Sequence, residues 1–380
     1  MWKSNETDRP IRVLIVGPDL PIVGGQTVQA RAIIENFRGD DEVHVDFQPI
    51  NPTFLPRLQG RKYIRTLVTT FKFITDLLTK IPRYDLIHIF SASYFSFLLS
   101  PTPALFVSKL FGKKTILNYR SGEADDHLTR WKTAVPTIRA FDRVVVPSGY
   151  LVDVFQRYEL NAQAIFNVVD TGRFKFRKRS SLAPVFLSNR NFEPLYNVEA
   201  TIRAFAVIQS TFPDASLIVA GDGSERANLM DLVSHLDLRK VLFLGSVPPS
   251  EMPSVYDRAD IYLNSPNLDN MPNSIIEAFA SGLAVVSTNA GGIPFIVDHE
   301  RNGLLVPVGD YEALTREAIR LLTSQELADR LVTQALADCE KYSWKDVRGQ
   351  WVNLYRDLAE RSSIIPETAS DRRVAASAEN

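Results

Sequence analysis

The stretch NSPNLDNMPNSIIEAFASGLAVVSTNAGGIPFIV, residues 264–297, decides the expected fold. Its pattern predicts the end of a strand, a loop, a helix over 274–281 and a strand over 283–288. Gly282 suits the end of that helix because glycine adopts a left-handed conformation without steric cost. The continuous apolar run 283–288 is typical of a parallel strand that is covered on both faces. The stretch therefore predicts an α/β fold with a parallel sheet.

Two helix starts follow strand ends in this stretch, one at Asn273-Ser274 and one after the Gly291-Gly292 turn, where Pro294 suits a first helical position. Backbone N–H groups at a helix start lack partners within the helix and favour anions such as phosphate. The stretch therefore contains candidate binding sites for a phosphate group.

Asp269 and Glu277 form a candidate pair of carboxylates, eight positions apart. Helical side chains lean toward the N-terminus, so Glu277 is expected to point toward the loop that carries Asp269. Amides for a diphosphate and carboxylates for hydroxyls suit a sugar nucleotide. For the pair alone, an ordinary helix cap with a solvated glutamate fits equally well.

Length and composition favour two domains of ordinary size, since the chain has 380 residues, 45% hydrophobic and 23% charged. A net charge of −1 gives no global attraction to nucleic acid. One cysteine, Cys339, excludes an internal disulfide and fits a reducing compartment. The polar start and the absence of a run of about 18 apolar residues predict no signal peptide and no membrane span. We therefore expect a cytoplasmic protein, and the scattered histidines predict no metal site.

A second glycine turn lies near the start of the chain. IRVLIVG (11–17) predicts a buried strand, and Gly24-Gly25 then opens a helix. A strand, a glycine turn and a helix start form a phosphate cradle, although the same glycines suit an ordinary turn. The spacing is not GxGxxG, so a nicotinamide cofactor is a weak interpretation.

Residues 61–81 predict an amphipathic helix. Its apolar side is expected to pack on the core through Ile64, Leu67, Val68, Phe71, Ile74, Leu77, Leu78 and Ile81. Its other side has Asp76 against Arg61, Lys62, Arg65, Lys72 and Lys80, with Arg57 and Arg83 flanking it. That side is either a solvated surface or a contact for anionic lipid or an anionic acceptor. The apolar segment 94–111 predicts core helices or a rim that grips a lipid-linked acceptor.

Residues 264–297 resemble the carboxylate-x7-carboxylate segment of retaining glycosyltransferases of family 4, which have the GT-B fold. In that family two glutamates precede a small-residue helix, a buried strand and a Gly-Gly-x-Pro turn. Two departures are Asp269 in place of the first glutamate and Asn270-Met271-Pro272 in place of Gly-x-Gly. The matching positions are Glu277, Ala278, Gly282, Val285, Val286, Gly291, Gly292 and Pro294.

The resemblance covers roughly residues 10–360 and implies further site residues. Arg190 matches an arginine on the donor's phosphates, whereas the accompanying lysine falls at Leu195 or Tyr196. Arg120 occupies the position of a histidine near the reacting sugar. An arginine there could hold a phosphate or an acceptor carboxylate, or could mark lost activity. The donor-binding positions implied are Gly24, Gly25, Gly221, Val247, Asn273, Ser274, Gly291 and Gly292.

The implied reaction is retaining transfer of a sugar from a nucleoside diphosphate sugar to a hydroxyl acceptor, in cell-surface polysaccharide or glycolipid synthesis. The resemblance assigns Glu277 to ribose hydroxyls, Asp269 to the donor sugar, Arg190 to the diphosphate and Arg120 to the cleft floor. It implies no metal and no cofactor besides the donor. The expected partners are the donor, a glycan or lipid-linked acceptor and, through the basic helix, the anionic inner face of a membrane, but no nucleic acid.

The expected architecture is two facing Rossmann-like domains with a cleft between them. The implied divisions are an acceptor-side domain at 1–180, a donor-binding domain at 184–342, a crossover helix at 343–361 and a disordered tail at 362–380. The alternative function is a non-catalytic sugar-nucleotide-binding or scaffolding partner in a glycan assembly complex. An epimerase or phosphorylase on the same fold would need other site residues. The donor's base and sugar and the acceptor stay open.

Overall fold

The computed structural model describes residues 9–19, 24–51, 62–91 and 93–363, and within them two six-stranded sheets follow one another along the chain. The strands of the first sheet are β1 (Ile11–Gly17), β2 (Val43–Pro49), β3 (Leu86–Ser91), β4 (Lys114–Tyr119), β5 (Arg143–Val146) and β6 (Gln163–Ala164). The helices between them are α1 (Gly25–Asn36), α2 (Lys62–Lys80), α3 (Tyr94–Leu99), α4 (Pro101–Leu110), α5 (Ala124–Arg130), α6 (Ala134–Arg139) and α7 (Gly149–Gln156).

The second sheet repeats the alternation of strand and helix. Its strands are β7 (Val185–Asn189), β8 (Ser216–Ala220), β9 (Val241–Gly245), β10 (Ile261–Asn264), β11 (Ala284–Thr288) and β12 (Leu304–Val306). The helices are α8 (Val198–Thr211), α9 (Arg226–His235), α10 (Met252–Asp257), α11 (Asn273–Ala280), α12 (Tyr311–Thr323), α13 (Gln325–Asp338) and α14 (Trp344–Ser363). The predicted strand at 283–288 and helix at 274–281 are confirmed to within one residue. After the Gly291-Gly292 turn there is a single 3-10 turn at Ile293–Phe295.

Both sheets are parallel, with strand orders β2-β1-β3-β4-β5-β6 and β12-β11-β10-β7-β8-β9. In each sheet the chain reverses its direction of winding at one place, between β1 and β3 in the first and between β7 and β10 in the second. The loops after strands on either side of such a switch diverge and leave a crevice at the carboxyl ends of the strands. The fold therefore places a crevice beside Gly24-Gly25 in one sheet and beside Arg190 and Asp269 in the other.

The last helix, α14, returns to the first sheet. Its buried Trp351 and Tyr355 pack in one cluster with Val13 and Ile15 of β1. The Tyr355 hydroxyl lies 2.8 Å from Nδ1 of His88, a fully buried residue of β3. His88 thus lies in the core, and the predicted crossover helix is confirmed. The fold is the predicted pair of α/β Rossmann-like units of GT-B type.

The predicted core side of α2 is wrong in part. Phe73 and Leu77 are buried against the core, whereas Phe71 is 72% exposed and Leu78 is 40% exposed. The regular apolar pattern hid this difference, because it continues on the side of α2 that faces solvent. Arg57 and Arg61 lie outside the described residues, and so do the side chains of Lys62 and Arg65.

Residues 94–111 form a helix pair, α3 and α4, that is buried only on one side. The buried side chains include Phe97 and Leu105, whereas Phe106 is 72% exposed and Phe95 is 70% exposed. The interpretation of the whole segment as core is therefore wrong. Together with α2, which packs against α4, this pair presents exposed apolar side chains: Phe71, Leu78, Phe95, Leu98, Leu99, Phe106, Leu110 and Phe111.

The segment between the two sheets, 175–183, is fixed to the second sheet. The Arg179 guanidinium donates to Asp260 Oδ1 at 2.7 Å and to the carbonyl of Gly282 at 2.5 Å, and its side chain is 3% exposed. Arg177 donates to the same Asp260 oxygen at 2.7 Å. Two basic side chains of this segment, Arg177 and Arg179, therefore anchor it to the second sheet.

In the part of the chain that the structure describes, no helix combines the length and apolar character needed to cross a bilayer. Within the same residues, no three side chains among His, Cys, Asp and Glu are grouped as metal ligands would be. The predicted disordered tail lies outside the described residues from 364 onward. The division into domains by residue number stays a prediction.

Replacing Arg179 with Met should lower the free energy of unfolding by about 3–5 kcal/mol, because it removes a cation from a buried pair and leaves carbonyl groups unpaired. Urea unfolding of the full chain measures the change. The control is Arg203→Met, which breaks an exposed pair with Glu199 and should cost about 1 kcal/mol or less. Equal effects of the two substitutions would show that the segment is not anchored through Arg179.

Candidate active site

A cavity of about 440 Å³ lies between the carboxyl ends of the two sheets. Gly25 and Arg120 line it from the first sheet, and Arg190, Asp269 and Ser274 line it from the second. These residues lie far apart in sequence, and the strand switch in each sheet brings them together. The cavity thus collects six of the twelve site positions that the sequence singled out, since Asn273 also lines it.

Arg190 and Asp269 form an ion pair with 2.5 Å between Nη2 and Oδ2, and their side chains are 11% and 12% exposed. Nη1 of Arg190 donates to Ser274 Oγ at 3.2 Å. The guanidinium also lies over the Tyr196 ring, with 4.1 Å from Cζ to the ring centroid. Tyr196 is one of the two positions, with Leu195, at which the resemblance places a lysine, and it offers an aromatic face to Arg190.

The electrostatics of this pair follow from its burial. Burial alone would lower the pKa of Arg190, but the Asp269 carboxylate outweighs it, so the pKa is raised above its ordinary value. Burial raises the pKa of Asp269 above its usual value, and Arg190 offsets only part of that effect. Nε of Arg190 is buried and has no hydrogen-bond partner among the described residues. Arg190 therefore keeps its charge and an unused donor.

Glu277 does not share this cavity with Asp269. It lines a second cavity of about 730 Å³ together with Arg173 and Pro249. Asn273, in the first turn of α11, lines both cavities and stands between the two carboxylates. The predicted pair is therefore divided between two cavities that share Asn273.

Tyr256 holds Glu277 in place. Its hydroxyl donates to Glu277 Oε2 at 2.8 Å and accepts from Asn189 Nδ2 at 2.8 Å. Burial raises the pKa of Glu277, while the bond from Tyr256 and the nearby Arg173 offset part of the rise. Because Asn189 precedes Arg190, these contacts connect Glu277 to the loop that carries Arg190. Tyr256 lies on α10, and no motif in the sequence marked it.

The predicted donor-binding glycines have different positions. Gly24 precedes α1 as its N-cap, and Gly25 lines the first cavity. Gly221 has φ +147°, and a Cβ built on it would lie 2.0 Å from the carbonyl oxygen of Arg190. Its role in the structure is to let the β7 loop approach, since any side chain would push Arg190 away.

Gly291 and Gly292 pack under the loop that carries Asp269. A Cβ on Gly291 would lie 2.2 Å from the Asp269 carbonyl oxygen, and the Gly292 N–H donates to that same oxygen at 2.9 Å. That N–H is therefore already used within the protein. Val247 is half-buried and packs against a hydrophobic cluster that includes side chains of the second sheet. None of Gly221, Val247, Gly291 and Gly292 lines either of the two cavities, so their contact with donor stays a prediction.

Asn270-Met271-Pro272, the departure from Gly-x-Gly, joins the two halves of the molecule. Asn270 Oδ1 accepts from Ser148 Oγ at 2.5 Å, and Asn270 Nδ2 donates to the carbonyl of Arg120 at 3.3 Å. Met271 is buried, and its carbonyl accepts from Asn167 Nδ2 at 3.2 Å. The larger side chains thus make contacts across the cleft that glycines could not make.

Comparison with known proteins gives one family match. Residues 172–338, which contain Arg190, Asp269 and Glu277, match the family model for "Glycosyl transferases group 1". N-acetyl-alpha-D-glucosaminyl L-malate synthase of Bacillus anthracis is 27% identical over 207 residues, which are 52% of this chain and 54% of that protein. The chain thus spans about half the length of this curated relative.

Solved structures are similar over most of the chain. Sucrose-phosphate synthase from Thermosynechococcus elongatus superposes with a TM-score of 0.75 at 20% identity, over 92% of this chain and 99% of that one. Anabaena HepE in complex with UDP and glucose superposes with a TM-score of 0.71 at 17% identity, over 91% of this chain and 100% of that one. At such identities the similarity establishes the fold.

Family match and fold together support a GT-B glycosyltransferase. In such a transferase the first cavity, between the carboxyl ends of the sheets, is the candidate active site.

Arg190 and Asp269 should be coupled in stability. Replacing Arg190 with Met leaves a buried carboxylate without its cation and should cost about 3–5 kcal/mol of unfolding free energy. Adding Asp269→Asn should recover part of that loss, with a coupling of about 0.5–3 kcal/mol in a double-mutant cycle by urea unfolding. Strictly additive effects would show that the two side chains do not pair in solution.

Proposed function

We propose that the chain is a retaining glycosyltransferase of family 4. In this proposal it transfers a sugar from a nucleoside diphosphate sugar to a hydroxyl acceptor in cell-surface polysaccharide or glycolipid synthesis. The observation that carries the proposal is the arrangement of two cavities that share Asn273. The first is lined by Asp269, Arg190 and the start of α11, and the second is lined by Glu277. An extended ligand with hydroxyls at both ends and a diphosphate in the middle matches this arrangement.

The proposed donor position follows from the residues that line the two cavities. Glu277 in the second cavity accepts hydrogen bonds from the ribose hydroxyls. The diphosphate lies at the start of α11, where the N–H groups of Asn273 and Ser274 have no partners within the helix. Arg190, with its unused Nε donor, lies beside that position. The transferred sugar then lies in the first cavity near Asp269.

The proposed chemistry is electrostatic. As the bond between sugar and diphosphate breaks, negative charge grows on the diphosphate. Arg190 and the helix start are fixed in advance where that charge develops, so no solvent needs to reorganise around it. Donor binding brings a second anion to Arg190, which then divides its hydrogen bonds between Asp269 and the phosphate. Asp269 gains a free oxygen lone pair for a sugar hydroxyl.

One specific observation favours the second candidate, a non-catalytic sugar-nucleotide-binding or scaffolding partner. Asp269 and Arg190 satisfy each other, and neither Leu195 nor Tyr196 supplies the second cation that the resemblance implies. A site so neutralised would bind a donor without turning it over. Measured turnover separates this candidate from the enzyme.

Release of nucleoside diphosphate from a panel of sugar nucleotides, with and without hydroxyl acceptors, tests the enzyme proposal. We expect release with at least one donor, and we expect EDTA to leave the rate unchanged because Arg190 and the helix start supply the positive charge. Donor binding by calorimetry without any release would favour the scaffold. Loss of release in EDTA with recovery in manganese would contradict metal independence.

Replacing Glu277 with Gln should weaken donor binding by about 1.5–3 kcal/mol, because a charge-assisted hydrogen bond to a ribose hydroxyl is lost. Calorimetric titration with the donor measures the change. The control is Glu326→Gln on the exposed start of α13, which should leave the affinity unaltered. An unaltered affinity in Glu277→Gln as well would remove Glu277 from the donor site.

We also propose peripheral contact with the anionic inner face of a membrane. The sequence gives α2 and its flanks a basic side, and the exposed apolar side chains of α2, α3 and α4 add a surface that can enter the headgroup region. Each basic residue near an anionic surface contributes about 1 kcal/mol, and salt screens this attraction. A lipid-linked acceptor would give this surface a purpose.

Vesicle co-sedimentation at low salt tests this contact. We expect binding to anionic vesicles to exceed binding to neutral ones, and to fall in Phe71→Gln/Phe106→Gln and in Arg61→Gln/Lys62→Gln/Arg65→Gln. Met230→Gln, at an exposed position on α9, is the control. Equal sedimentation with both lipids in the native chain would leave an ordinary exposed helix surface.

A further inference from the structure

Arg120 is a cation in the first cavity whose described partners are all neutral. It follows β4 and lines the cavity opposite Arg190. Nη1 donates to Asn118 Oδ1 at 3.0 Å, and Nη2 donates to Asn167 Oδ1. The guanidinium lies over the Phe90 ring, with 5.6 Å from Cζ to the centroid. Two amides and a ring face therefore hold it in a fixed orientation.

No carboxylate pairs with Arg120 among residues 9–19, 24–51, 62–91 and 93–363. Glu123 lines the same cavity but is exposed and forms no ion pair with Arg120. The internal segments 20–23 and 52–61 and residue 92, which the structure leaves undescribed, contain no Asp or Glu in the sequence. Arg190 differs, since Asp269 neutralises it. Within the described residues, the cavity thus has one cation that is paired with a carboxylate, Arg190, and one that is not, Arg120.

An unpaired, half-buried cation is unfavourable, because it loses part of its hydration without gaining a counter-charge. Burial accordingly lowers the pKa of Arg120 to about 9. The neighbouring His88 is fully buried, and burial together with Arg120 lowers its pKa to about 3, so it stays neutral and adds no charge. An arginine held by two amides keeps its planar fork ready for two oxygens of one carboxylate or phosphate.

We infer that Arg120 binds an oxyanion, a carboxylate or phosphate, on the acceptor, so that the substrate class of this site is an anionic acceptor. The inference rests on the proposed function, because the site counts as an acceptor site only if a donor occupies the rest of the cavity. Arg120 comes from the first sheet, whereas Arg190 and the start of α11 come from the second. A donor phosphate at Arg190 therefore leaves Arg120 for the other substrate.

The first experiment uses the full chain and two matched probes, glycerol 3-phosphate and glycerol, in calorimetric titrations with UDP present. We expect glycerol 3-phosphate to bind and glycerol not to bind. Arg120→Gln should weaken the phosphate probe about tenfold or more, because the charge-assisted bonds are lost, whereas Arg120→Lys should lose less. Arg203→Gln, an exposed arginine on α8, is the control. Equal binding of both probes, or no effect of Arg120→Gln in a variant with native circular dichroism, would overturn the inference.

The second experiment assigns the oxyanion to donor or acceptor. Affinities of UDP-glucose and UDP-glucuronate are compared in the native chain and in Arg120→Gln. We expect the two donors to lose affinity by the same factor in the variant, because the oxyanion that Arg120 binds is on the acceptor. A selective loss for UDP-glucuronate would overturn the acceptor assignment and place the carboxylate on the donor sugar.

Failure of this inference can be told apart from failure of the proposed function. If nucleoside diphosphate is released with neutral acceptors as fast as with anionic ones, the enzyme proposal stands and the Arg120 assignment fails. If glycerol 3-phosphate binds through Arg120 but no donor and acceptor pair gives release, the anion site stands and the transferase proposal fails.

Discussion

The buried ion pair of Arg190 and Asp269 is the contact on which the candidate site depends. It joins the loop after β7 to the loop after β10, the two strands that flank the switch of the second sheet. Close backbone approaches at Gly221 and Gly291 fix both loops from behind. The pair keeps each partner charged in a place where neither would be stable alone. The Arg190 guanidinium is therefore already in place for contact with a donor diphosphate.

Charge is distributed unevenly around this pair. On the second sheet, Arg190 is neutralised by Asp269 and covered by Tyr196, so an incoming phosphate must compete with a carboxylate. On the first sheet, Arg120 has amides and a ring around it and no acid among its described contacts. Asn167 connects the two sides, since it accepts from Arg120 and donates to Asn273 Oδ1 at 2.7 Å. Asn167 therefore connects Arg120 of the first sheet to the start of α11 in the second.

Much of the fold could be predicted from the sequence, because strands covered on both faces give continuous apolar runs such as 11–17 and 283–288. The family resemblance named Arg190 and Arg120 as site residues, and Asp269 was also recognised as a carboxylate in the loop before a helix start. Their pairing could not, since it depends on which strands are neighbours. Asp269 and Glu277 were expected to line one ligand site. They instead line two different cavities, and Asn273 lines both. Tyr256 had no sequence signal, because a buried tyrosine on a short helix is typical of any core. The exposure of Phe71 and Phe106 was missed for the opposite reason, since an apolar pattern does not show which side a neighbour covers.

The central claim is that one extended sugar nucleotide occupies both cavities, with its diphosphate at Arg190 and the start of α11. A crystal structure of the full chain soaked with UDP and with a non-hydrolysable UDP-sugar measures this directly. The account predicts ribose hydroxyls at Glu277, phosphate oxygens at Arg190 and the N–H groups of Asn273 and Ser274, and the sugar beside Asp269. Nucleotide bound elsewhere, or an Arg190–Asp269 pair that excludes the phosphate from the first cavity, would contradict it.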